Sequence, residues 1–387
     1  MPTRKLRYGM VGGGPGAFIG AVHRHAAALD GEIELVGGAF SSSADRSKQQ
    51  GKDLCLDPSR VYGSYAEMAE KEAALDESER IDFVSVVTPN DSHFAIAKTF
   101  IEAGFNVVCD KPMTTTVEDA EKLVALVRKH DVVFALTHNY TGYPMVKEAR
   151  HLVQSGHLGE IRKVVVEYPQ GWLATLVEET GNKQASWRTD PSKAGVSSSM
   201  GDIGSHAHNL AHYITGLEIE SMCADLTAFV SGRDLDDDGN VLVRYAGGAR
   251  GVLYASQVSV GEENALSIRV YGTKAGLEWQ QEDPNDLYVK YPDRPGERLR
   301  RGNGYLSEVA QYYSRLPAGH PEAFIEAFAN VYRAAARTML ARSEGRKPDP
   351  KDLDFPSVVD GASGVHFIHK TVESSKAGGW IDARYGR

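Results

Sequence analysis

Apolar and polar positions follow an alternating pattern of strands and helices in the first third of the chain. Short apolar runs, typical of buried strands, are separated by segments in which apolar residues recur every three or four positions, as in helices. The predicted strands are residues 6–11, 33–40, 82–87, 106–109 and 132–136, and the predicted helices are residues 18–29, 44–54, 66–75 and 117–130, with one more ending at 103. This alternation predicts a parallel sheet with right-handed crossovers, which is a doubly wound α/β domain.

The pattern changes near residue 138. From there strand-like runs follow one another with few helices between them, which indicates an α+β domain with a large open, mostly antiparallel sheet. The predicted strands are residues 161–168, 224–230, 241–245, 251–258, 265–271 and 276–279. Helical patterns at 321–340 and 356–374 are expected to cover one face of this sheet. A length of 387 residues also favours two domains, and we predict a first domain of residues 1–137 and a second of residues 138–387.

The charge balance narrows the set of partners. Lys and Arg number 43 and Asp and Glu number 52, a formal net charge of −9, and no basic cluster occurs. We therefore expect neither nucleic acid nor an anionic membrane as a partner. No segment approaches the roughly 18 apolar residues of a membrane span, and the charged N-terminal residues lead into a strand pattern rather than the apolar core of a signal peptide. The three cysteines lie at wide spacing without a metal-type pairing, which fits a cytoplasmic protein.

A glycine-rich loop follows the first predicted strand and opens the first predicted helix. Residues 11–20 are Val-Gly-Gly-Gly-Pro-Gly-Ala-Phe-Ile-Gly. Glycines at such a point let the backbone approach a pyrophosphate, which the helix N-terminus attracts through its N–H groups and its dipole. The position in the α/β alternation favours this interpretation over a glycine-rich turn without a ligand. We therefore predict a dinucleotide site with contacts from Gly12, Gly14, Phe18 and Ile19.

The end of the second predicted strand bears on the choice between NAD and NADP. Sites for NAD usually carry an acidic residue there for the ribose hydroxyls. This chain has Ser41, Ser42 and Ser43, followed by Asp45 and Arg46. The hydroxyls and Arg46 can receive a 2′-phosphate, so the sequence leans toward NADP and leaves NAD open. Asp45 is also suited to cap the helix that follows.

Lys111 follows the strand predicted at residues 106–109, in the sequence Cys-Asp-Lys-Pro. Ligands of open α/β sheets collect at the carboxyl ends of the strands, so this lysine is expected to point into the cofactor crevice. The alternative interpretation is a surface lysine before a turn proline.

Asp202 and His206 form a second candidate pair. If they lie on one helix, their spacing places them on one face, where the carboxylate can fix the orientation and tautomer of an imidazole that acts as acid or base. A metal site is the competing hypothesis, since His208 and His212 are close in sequence. A helix turns about 200° between His206 and His208, so their rings do not converge on one ion, and we predict no metal. A third interpretation is structural, with Asp202 as a helix cap.

Together these motifs resemble the Gfo/Idh/MocA family, the relatives of glucose-fructose oxidoreductase and inositol dehydrogenase. The resemblance extends over nearly the whole chain. It rests on the glycine loop, Thr88-Pro89-Asn90 with His93, Asp110-Lys111-Pro112, Asn139, Trp187-Arg188, and Asp202 with His206. It implies an N-terminal Rossmann domain that binds NAD or NADP. It also implies a C-terminal domain whose open sheet is used for oligomer contacts, so we expect a homodimer or homotetramer.

The resemblance implies roles for individual residues. Lys111, Asp202 and His206 stand at the family's catalytic positions. The positions that line the family's cofactor cleft are Thr88, Asn90, His93, Asp110, Lys111, Asn139, Trp187 and Arg188. The sequence departs from the family at two points. Asp110 replaces the usual glutamate, and the glycine loop is about three residues longer than the common spacing, which leaves the third glycine position open.

The activity implied by the resemblance is the reversible oxidation of a secondary hydroxyl on a sugar, glycoside or cyclic polyol. His206 is expected to remove the hydroxyl proton and Lys111 to stabilise negative charge on the oxygen, and the two roles can be exchanged. A glucoside or sugar is the first choice of substrate and an inositol the second. An NAD-dependent glycoside hydrolase and a non-catalytic nucleotide-binding regulator are the alternatives. The expected substrate contacts are Lys111, Tyr140, Asp202 and His206, with Tyr143, Trp172, Gln184 and Trp187 as further sugar-lining candidates.

Overall fold

A five-stranded parallel sheet forms the centre of the first half of the chain. The computed structural model describes residues 4–386. The strands are β1 (Leu6–Gly12), β2 (Ile33–Ala39), β3 (Phe83–Val87), β4 (Asn106–Cys109) and β5 (Phe134–Leu136). Their order is β2-β1-β3-β4-β5, and every neighbouring pair is parallel. The predicted doubly wound Rossmann-type sheet is therefore confirmed.

Helices connect these strands, as the alternating pattern predicts. They are α1 (Phe18–Ala28), α2 (Ala44–Asp53), α3 (Tyr65–Ala73), α4 (His93–Glu102) and α5 (Val117–His130). All five residues of β3 are buried, because helices cover both faces of a sheet of this kind. The order of strands reverses between β1 and β3, and ligands of such sheets bind beside the carboxyl ends at this point.

A nine-stranded sheet forms the second half of the fold. Its strands are β6 (Ile161–Pro169), β7 (Ile219–Thr227), β8 (Asp238–Tyr245), β9 (Arg250–Ser256), β10 (Ser267–Gly272), β11 (Gly276–Gln280), β12 (Asp286–Lys290), β13 (Glu297–Arg300) and β14 (Ile381–Asp382). The order is β13-β12-β11-β10-β6-β9-β8-β7-β14. Only the β6–β9 pair is parallel among these described strands. The predicted large, mostly antiparallel sheet is confirmed.

One face of the nine-stranded sheet is buried and the other is open. Along β8, Val241 and Val243 are buried, whereas Leu242 between them is half exposed, because successive side chains of a strand point to opposite faces. The helices of this region are α6 (Pro144–Gln154), α7 (Lys183–Arg188), α8 (Pro191–Ala194), α9 (Ser205–Thr215) and α10 (Glu308–Tyr312). Among them, α9 packs against β6 and β9. The helix that contains the candidate His206 therefore covers the buried face of this sheet.

The chain divides into two compact units. The first contains the described residues up to Thr114, with Glu118–Asn139 and Ile325–Ala362. The second contains Thr115–Val117, Tyr140–Phe324 and the residues from Ser363 onward.

The two late helices differ in what they pack against. In α11 (Phe324–Ser343), the Tyr332 hydroxyl lies 2.6 Å from the Ser85 Oγ of β3, and Arg337 Nε donates to Glu32 at 2.9 Å. The expectation that this helix covers the antiparallel sheet is therefore wrong, since an apolar periodicity shows that a helix is buried but not against which sheet. In α12 (Val358–Ala377), the Ser374 Oγ accepts from the Ala224 N–H of β7 at 2.9 Å, as expected for a helix on the second sheet.

A search of residues 4–386 for membrane-spanning helices gives none that is long and apolar enough to cross a bilayer.

Candidate functional site

The glycine loop begins where β1 ends, beside the end of β3. Gly12 has a φ of +89° and lies in register with Val87. A Cβ atom on Gly12 would lie 2.8 Å from the Thr88 Cγ2, and one on Gly14 would lie 2.5 Å from the Phe40 carbonyl oxygen. Only glycine is accommodated at these two positions, and the backbone is left bare at the place where a pyrophosphate is held in folds of this kind.

Gly20, in the first turn of α1, takes the third glycine position. A Cβ atom there would lie 2.4 Å from the Cα of Gly13. The helix therefore packs directly on the loop, which is the role of the third glycine in a dinucleotide-binding turn. The three extra residues of the loop displace this contact to Gly20, a residue that the predicted contact set omitted although its spacing pointed to it.

The N-terminus of α1 is suited to an anion. The residue before the helix, Ala17, makes no side-chain capping bond, and the first turn contains no acidic residue. The N–H groups of this turn and the helix dipole therefore favour a negatively charged group. Phe18 is 66% exposed and Ile19 is half-buried. Together with the bare glycine backbone, this end of the helix fits a dinucleotide.

The turn after β2 shows how the three serines are used. Ser43 caps α2, since its hydroxyl accepts from the Arg46 N–H at 3.5 Å. The Ser41 hydroxyl accepts from the Ser43 N–H at 3.2 Å. The interpretation of Asp45 as the cap is therefore wrong, and Asp45 lies inside the first turn of the helix. Ser42 and the Arg46 side chain are exposed.

His93 joins the turn after β3 to the turn after β4. Its Nδ1 lies 2.9 Å from the Pro112 carbonyl oxygen and its Nε2 lies 2.8 Å from the Thr88 carbonyl oxygen. The ring is fully buried. The structure therefore places His93 beneath the candidate cofactor residues Thr88, which is half-buried, and Asn90, which is buried.

Lys111 lies at the carboxyl end of β4, on the edge of the sheet from which the glycine loop also leaves. Its backbone N–H donates to the Asp110 Oδ1 at 2.8 Å, and the Thr137 hydroxyl donates to the same oxygen at 3.1 Å. The other oxygen, Asp110 Oδ2, lies 4.0 Å from the Nε2 of His23. Asp110 thus fixes the backbone from which the lysine extends.

Two polar residues after β5 complete this edge. Burial lowers the pKa of His138 to about 3, and the nearby Lys111 ammonium lowers it further against the opposing effect of Asp110. His138 is therefore a neutral imidazole at physiological pH. Asn139 is buried, and its Nδ2 has no hydrogen-bond partner among the described residues. A buried amide donor without a partner is costly in a folded protein, and it is suited to a carbonyl or hydroxyl of a bound nucleotide.

In the second unit, Asp202 lies on a π-helical turn (Met200–Gly204) that leads into α9. Such turns are rare and occur frequently at functional sites. The Asp202 Oδ2 accepts from the Arg188 Nε at 2.8 Å and from the Gln257 Nε2 at 2.9 Å. Asp202 is therefore held by a charged and a neutral donor, and it is not the cap of a regular helix.

Arg188 is fixed on several sides. Its guanidinium carbon lies 4.2 Å from the ring centre of Trp187 and 5.7 Å from that of Trp172, within the range of cation–π attraction. Its Nη1 donates to the carbonyl and side-chain oxygens of Gln184 at 3.1 and 2.9 Å. The structure brings these sugar-lining candidates together around the partner of Asp202. Gln257 is absent from the predicted site, because it falls inside the strand predicted at residues 251–258; the observed strand β9 ends one residue before it, at Ser256.

The His206 ring is buried beside two tyrosines. The Tyr140 ring meets it edge-on at 4.8 Å between centres, and the Tyr168 ring lies at 6.3 Å. The Tyr140 and Tyr168 hydroxyls are hydrogen-bonded to each other, and Tyr168 donates to the Asn264 Oδ1 at 2.7 Å. Burial raises the pKa of both phenols, so they are hydrogen-bond donors rather than bases near neutral pH.

The remaining candidates lie in other surroundings. The His208 ring stacks on Phe367 at 4.5 Å, and the His212 Nδ1 lies 3.3 Å from the Leu217 carbonyl oxygen, so the three imidazoles of this helix have different neighbours. Tyr143 packs in the interior against Trp279. Tyr143 is therefore almost fully buried, and a sugar contact at this position stays a prediction.

Family models match both units. Residues 6–140 match the oxidoreductase family with an NAD-binding Rossmann fold, and residues 146–278 match the GFO/IDH/MocA C-terminal domain. The uncharacterized oxidoreductase YfiI of Bacillus subtilis is 33% identical over 384 residues, which cover 98% of this chain and 97% of the relative. Levoglucosan dehydrogenase of Pseudarthrobacter phenanthrenivorans is 25% identical over 359 residues, which cover 85% of this chain and 87% of the relative.

Solved structures agree with these matches. The inositol dehydrogenase homolog of Azotobacter vinelandii in complex with NAD+ is 37% identical, with a TM-score of 0.94 and 98% of each chain covered. The same homolog with NADH and myo-inositol is 36% identical, with a TM-score of 0.91 and 98% of each chain covered. The bare glycine loop, the lysine at the strand end and these likenesses agree, and the chain belongs to the Gfo/Idh/MocA family of NAD(P)-dependent oxidoreductases.

Proposed function

We propose that this protein oxidises, reversibly, a secondary ring hydroxyl of a sugar, a glycoside or a cyclic polyol with NAD or NADP. The observation that carries the proposal is the place of Lys111. It extends from the carboxyl end of β4, on the sheet edge that also carries the bare glycine loop and the unpartnered amide of Asn139. A cation at that edge is suited to an oxygen that becomes negatively charged beside a nicotinamide.

The residues proposed to hold the nucleotide follow from the same edge. Gly12 and Gly14, with the first turn of α1, receive the pyrophosphate. Thr88, Asn90 and Asn139 line the cleft. The glycine loop, the turn after β2 and the family resemblance add the other members of the proposed set, which are Phe18, Ile19, Ser41, Ser42, Arg46, His93, Asp110, Lys111, Trp187 and Arg188. When bound, the nicotinamide supplies the hydride acceptor, and the protein supplies orientation and electrostatics.

The proton chemistry is assigned to His206, Asp202 and Lys111. His206 removes the hydroxyl proton, and Lys111 donates a hydrogen bond to the same oxygen and stabilises its developing charge. Asp202, fixed by Arg188 and Gln257, orients the imidazole. Tyr140 presents a protonated phenol next to the His206 ring and is proposed to hold a neighbouring substrate hydroxyl.

Two substrate groups are proposed. Glucosides and simple sugars come first, and they are favoured by the relative named levoglucosan dehydrogenase. Inositols come second, and they are favoured by the Azotobacter homolog solved with myo-inositol, which covers nearly the whole chain.

We propose NADP as the preferred nucleotide. No acidic residue lies between the end of β2 at Ala39 and Asp45, while Ser42 and Arg46 are exposed after this strand. In wild-type protein the ratio kcat/KM should be higher with NADP than with NAD. Ser41→Asp should lower kcat/KM with NADP relative to kcat/KM with NAD by about tenfold or more, because a carboxylate repels the 2′-phosphate and binds ribose hydroxyls. A wild-type preference for NAD would contradict the assignment.

The open face of the nine-stranded sheet is proposed as the contact between copies of this chain, giving a dimer or tetramer. It carries Leu242, Tyr271 and Tyr288, which are 50%, 38% and 38% exposed. Sheets with an apolar exposed face usually associate. Light scattering coupled to gel filtration should show an oligomer, and Leu242→Lys should shift it toward the monomer. A monomeric wild type would contradict the proposal.

We propose a cytoplasmic location for the protein. Cys55, Cys109 and Cys223 all carry free thiols. Free thiols at three separate sites suit a reducing compartment. Cell fractionation with a cytoplasmic marker enzyme tests this location.

The activity is tested with a panel of glucosides, free sugars and inositols in the presence of NAD or NADP. Reduction of the nucleotide, followed by its absorbance, is the expected result. Release of sugar from a glycoside without net reduction would instead support the hydrolase alternative. Nucleotide binding without turnover on any member of the panel would support a regulator.

A further inference from the structure

A buried cluster of three polar side chains lies behind the lysine of the first unit. It joins His23 of α1, Ser85 of β3 and Tyr332 of α11. The Tyr332 hydroxyl lies 2.6 Å from the His23 Nδ1 and 2.6 Å from the Ser85 Oγ, and the Ser85 Oγ lies 3.3 Å from the His23 Nδ1. All three side chains are buried in the core of the unit.

The imidazole in this cluster is neutral. Burial lowers the pKa of His23 to about 4, Asp110 opposes this effect, and His93 and Arg24 lower the pKa further. A neutral imidazole has one N–H, so one nitrogen donates a hydrogen bond and the other accepts one.

The surroundings decide which nitrogen carries the proton. If Nδ1 accepts, Tyr332 donates to it and Ser85 donates to the Tyr332 oxygen, so each hydroxyl proton has an acceptor. The protonated Nε2 then lies 4.0 Å from the Asp110 Oδ2, where the attraction is electrostatic and not a hydrogen bond. The opposite tautomer would set a nitrogen lone pair against a carboxylate oxygen, which is repulsive. The geometry thus favours the Nε2–H form.

Asp110 transmits this orientation to the lysine. Its Oδ1 accepts from the Lys111 backbone N–H and from the Thr137 hydroxyl, while its Oδ2 faces His23. The carboxylate is therefore held at Oδ1 by two hydrogen bonds, and its Oδ2 lies next to a buried His23 Nε2 that makes no hydrogen bond among the described residues. Its Oδ1 bonds fix the backbone at the base of the Lys111 side chain.

We propose that His23 and Tyr332 are positioning residues that set the place of Lys111 through Asp110. This inference rests on the proposed function of Lys111. Neither residue is assigned a contact with nucleotide or substrate. The Tyr332 hydroxyl fixes the tautomer of His23, and the Nε2–H side of His23 attracts the Asp110 carboxylate.

The first test measures the tautomer directly in the full-length protein. Histidine is labelled with nitrogen-15, the His23 signals are assigned with His23→Gln, and nitrogen shifts are recorded near neutral pH. We expect a protonated Nε2 and an unprotonated Nδ1 in the wild type. In Tyr332→Phe the nearest donor to Nδ1 is Ser85 at 3.3 Å, so the two tautomers should both be populated. A wild-type His23 protonated at Nδ1 would overturn the proposal.

The second test reads the lysine without any substrate. The rate of acylation of Lys111 by an amine-reactive ester is measured by mass spectrometry in the wild type, in Tyr332→Phe and in Tyr8→Phe. Tyr8 is a matched control, since it is a buried tyrosine of β1 that stacks on Phe83 at 5.2 Å and lies outside the cluster. We expect the rate to change at least about threefold in Tyr332→Phe, by analogy with other losses of positioning, and to stay unchanged in Tyr8→Phe.

The third test uses turnover with whichever substrate the panel identifies. Tyr332→Phe should lower kcat about tenfold or more and leave the KM for nucleotide within about twofold, because none of the three cluster residues is assigned a contact with the nucleotide. Equal acylation rates and equal kcat in both tyrosine variants would overturn the proposal. If no substrate is found, the proposed function fails, while the nitrogen shifts and the acylation rates still decide the role of the cluster.

Discussion

The carboxyl edge of the parallel sheet and the cluster around Asp202 differ in how the chain builds them. The first edge is assembled from residues at or just beyond the ends of the strands. Gly12 is the last residue of β1 and Thr88 directly follows β3, while Lys111 and Asn139 come shortly after β4 and β5. The second cluster draws on distant segments, since Trp172, Arg188, Asp202 and Gln257 lie on separate turns, helices and strand ends.

The difference in construction is matched by a difference in charge. In the first region burial keeps His23 neutral near Asp110, and it keeps His138 neutral beside the Lys111 ammonium. In the second region an aspartate and an arginine form a charged pair at 2.8 Å. Regular strand ends can hold neutral donors in fixed places, whereas an irregular cluster needs strong directional bonds to stay in one arrangement.

Lys111→Ala is the sharpest test of the first region and should have the largest effect. Loss of the cation proposed to stabilise the developing oxyanion should lower kcat by roughly 10³-fold, while the Kd for nucleotide stays within a few-fold. Turnover and nucleotide binding are measured on the same preparation. The control is Lys98→Ala, since Lys98 lies on the exposed side of α4 near Glu102. Full activity of Lys111→Ala would remove this lysine from the mechanism.

Asp202→Asn tests whether the second region depends on its charged pair. The amide cannot accept an ionic bond from Arg188, so the orientation of His206 should be lost and kcat should fall by about 10²-fold. The matched control is Asp190→Asn, because Asp190 caps α8 and accepts from the Ser192 N–H at 2.9 Å. The control should lower thermal stability slightly and leave kcat unchanged. Equal kcat in the two variants would show that the pair is structural.

Gly20→Ala tests the close packing of the first region. The added methyl would lie 2.4 Å from the backbone of Gly13, and such overpacking costs about 1–3 kcal/mol. The loop should shift, and the Kd for nucleotide should rise about tenfold. Calorimetric titration measures it. Gly304→Ala is the control, since a methyl there meets no atom within 4 Å. An unchanged Kd would mean that the loop tolerates displacement of α1.

The pH dependence of stability should sharpen the contrast in charge. An unfolded chain takes up a proton on each histidine near pH 6.5, whereas folded His138 does so only near pH 3. The stability it contributes is therefore complete above pH 6.5 and is lost as the pH falls toward 3, by up to about 1.4 kcal/mol per pH unit. In denaturant unfolding between pH 6.5 and 4, His138→Gln should show a shallower slope. A wild-type slope in His138→Gln would contradict the assignment of a buried, neutral imidazole at this position.

The contrast also explains what the sequence could predict. The strand-end motifs lie in regular positions. The alternation of strands and helices was therefore enough to predict a doubly wound parallel sheet, with the glycine loop and Lys111 at its carboxyl edge. Gln257 and the Arg188–Asp202 pair depend on how distant segments meet, which no local periodicity encodes. Asp202 also lies on a π-helical turn, whereas the prediction placed it with His206 on one regular helix. The packing of α11 against the parallel sheet was not predicted, because the apolar face of a helix can be buried equally well against either sheet.

The helix that carries Tyr332 has a consequence for synthesis and for engineering. Residues 325–362 complete the first unit, yet they leave the ribosome only after the whole nine-stranded sheet except β14 has emerged. Co-translational folding of the nucleotide-binding half therefore cannot finish early, although N-terminal units generally fold first. A truncation near residue 140 would strip the parallel sheet of its last helix. To excise this half intact, a designer would have to graft the late segment back through a new linker.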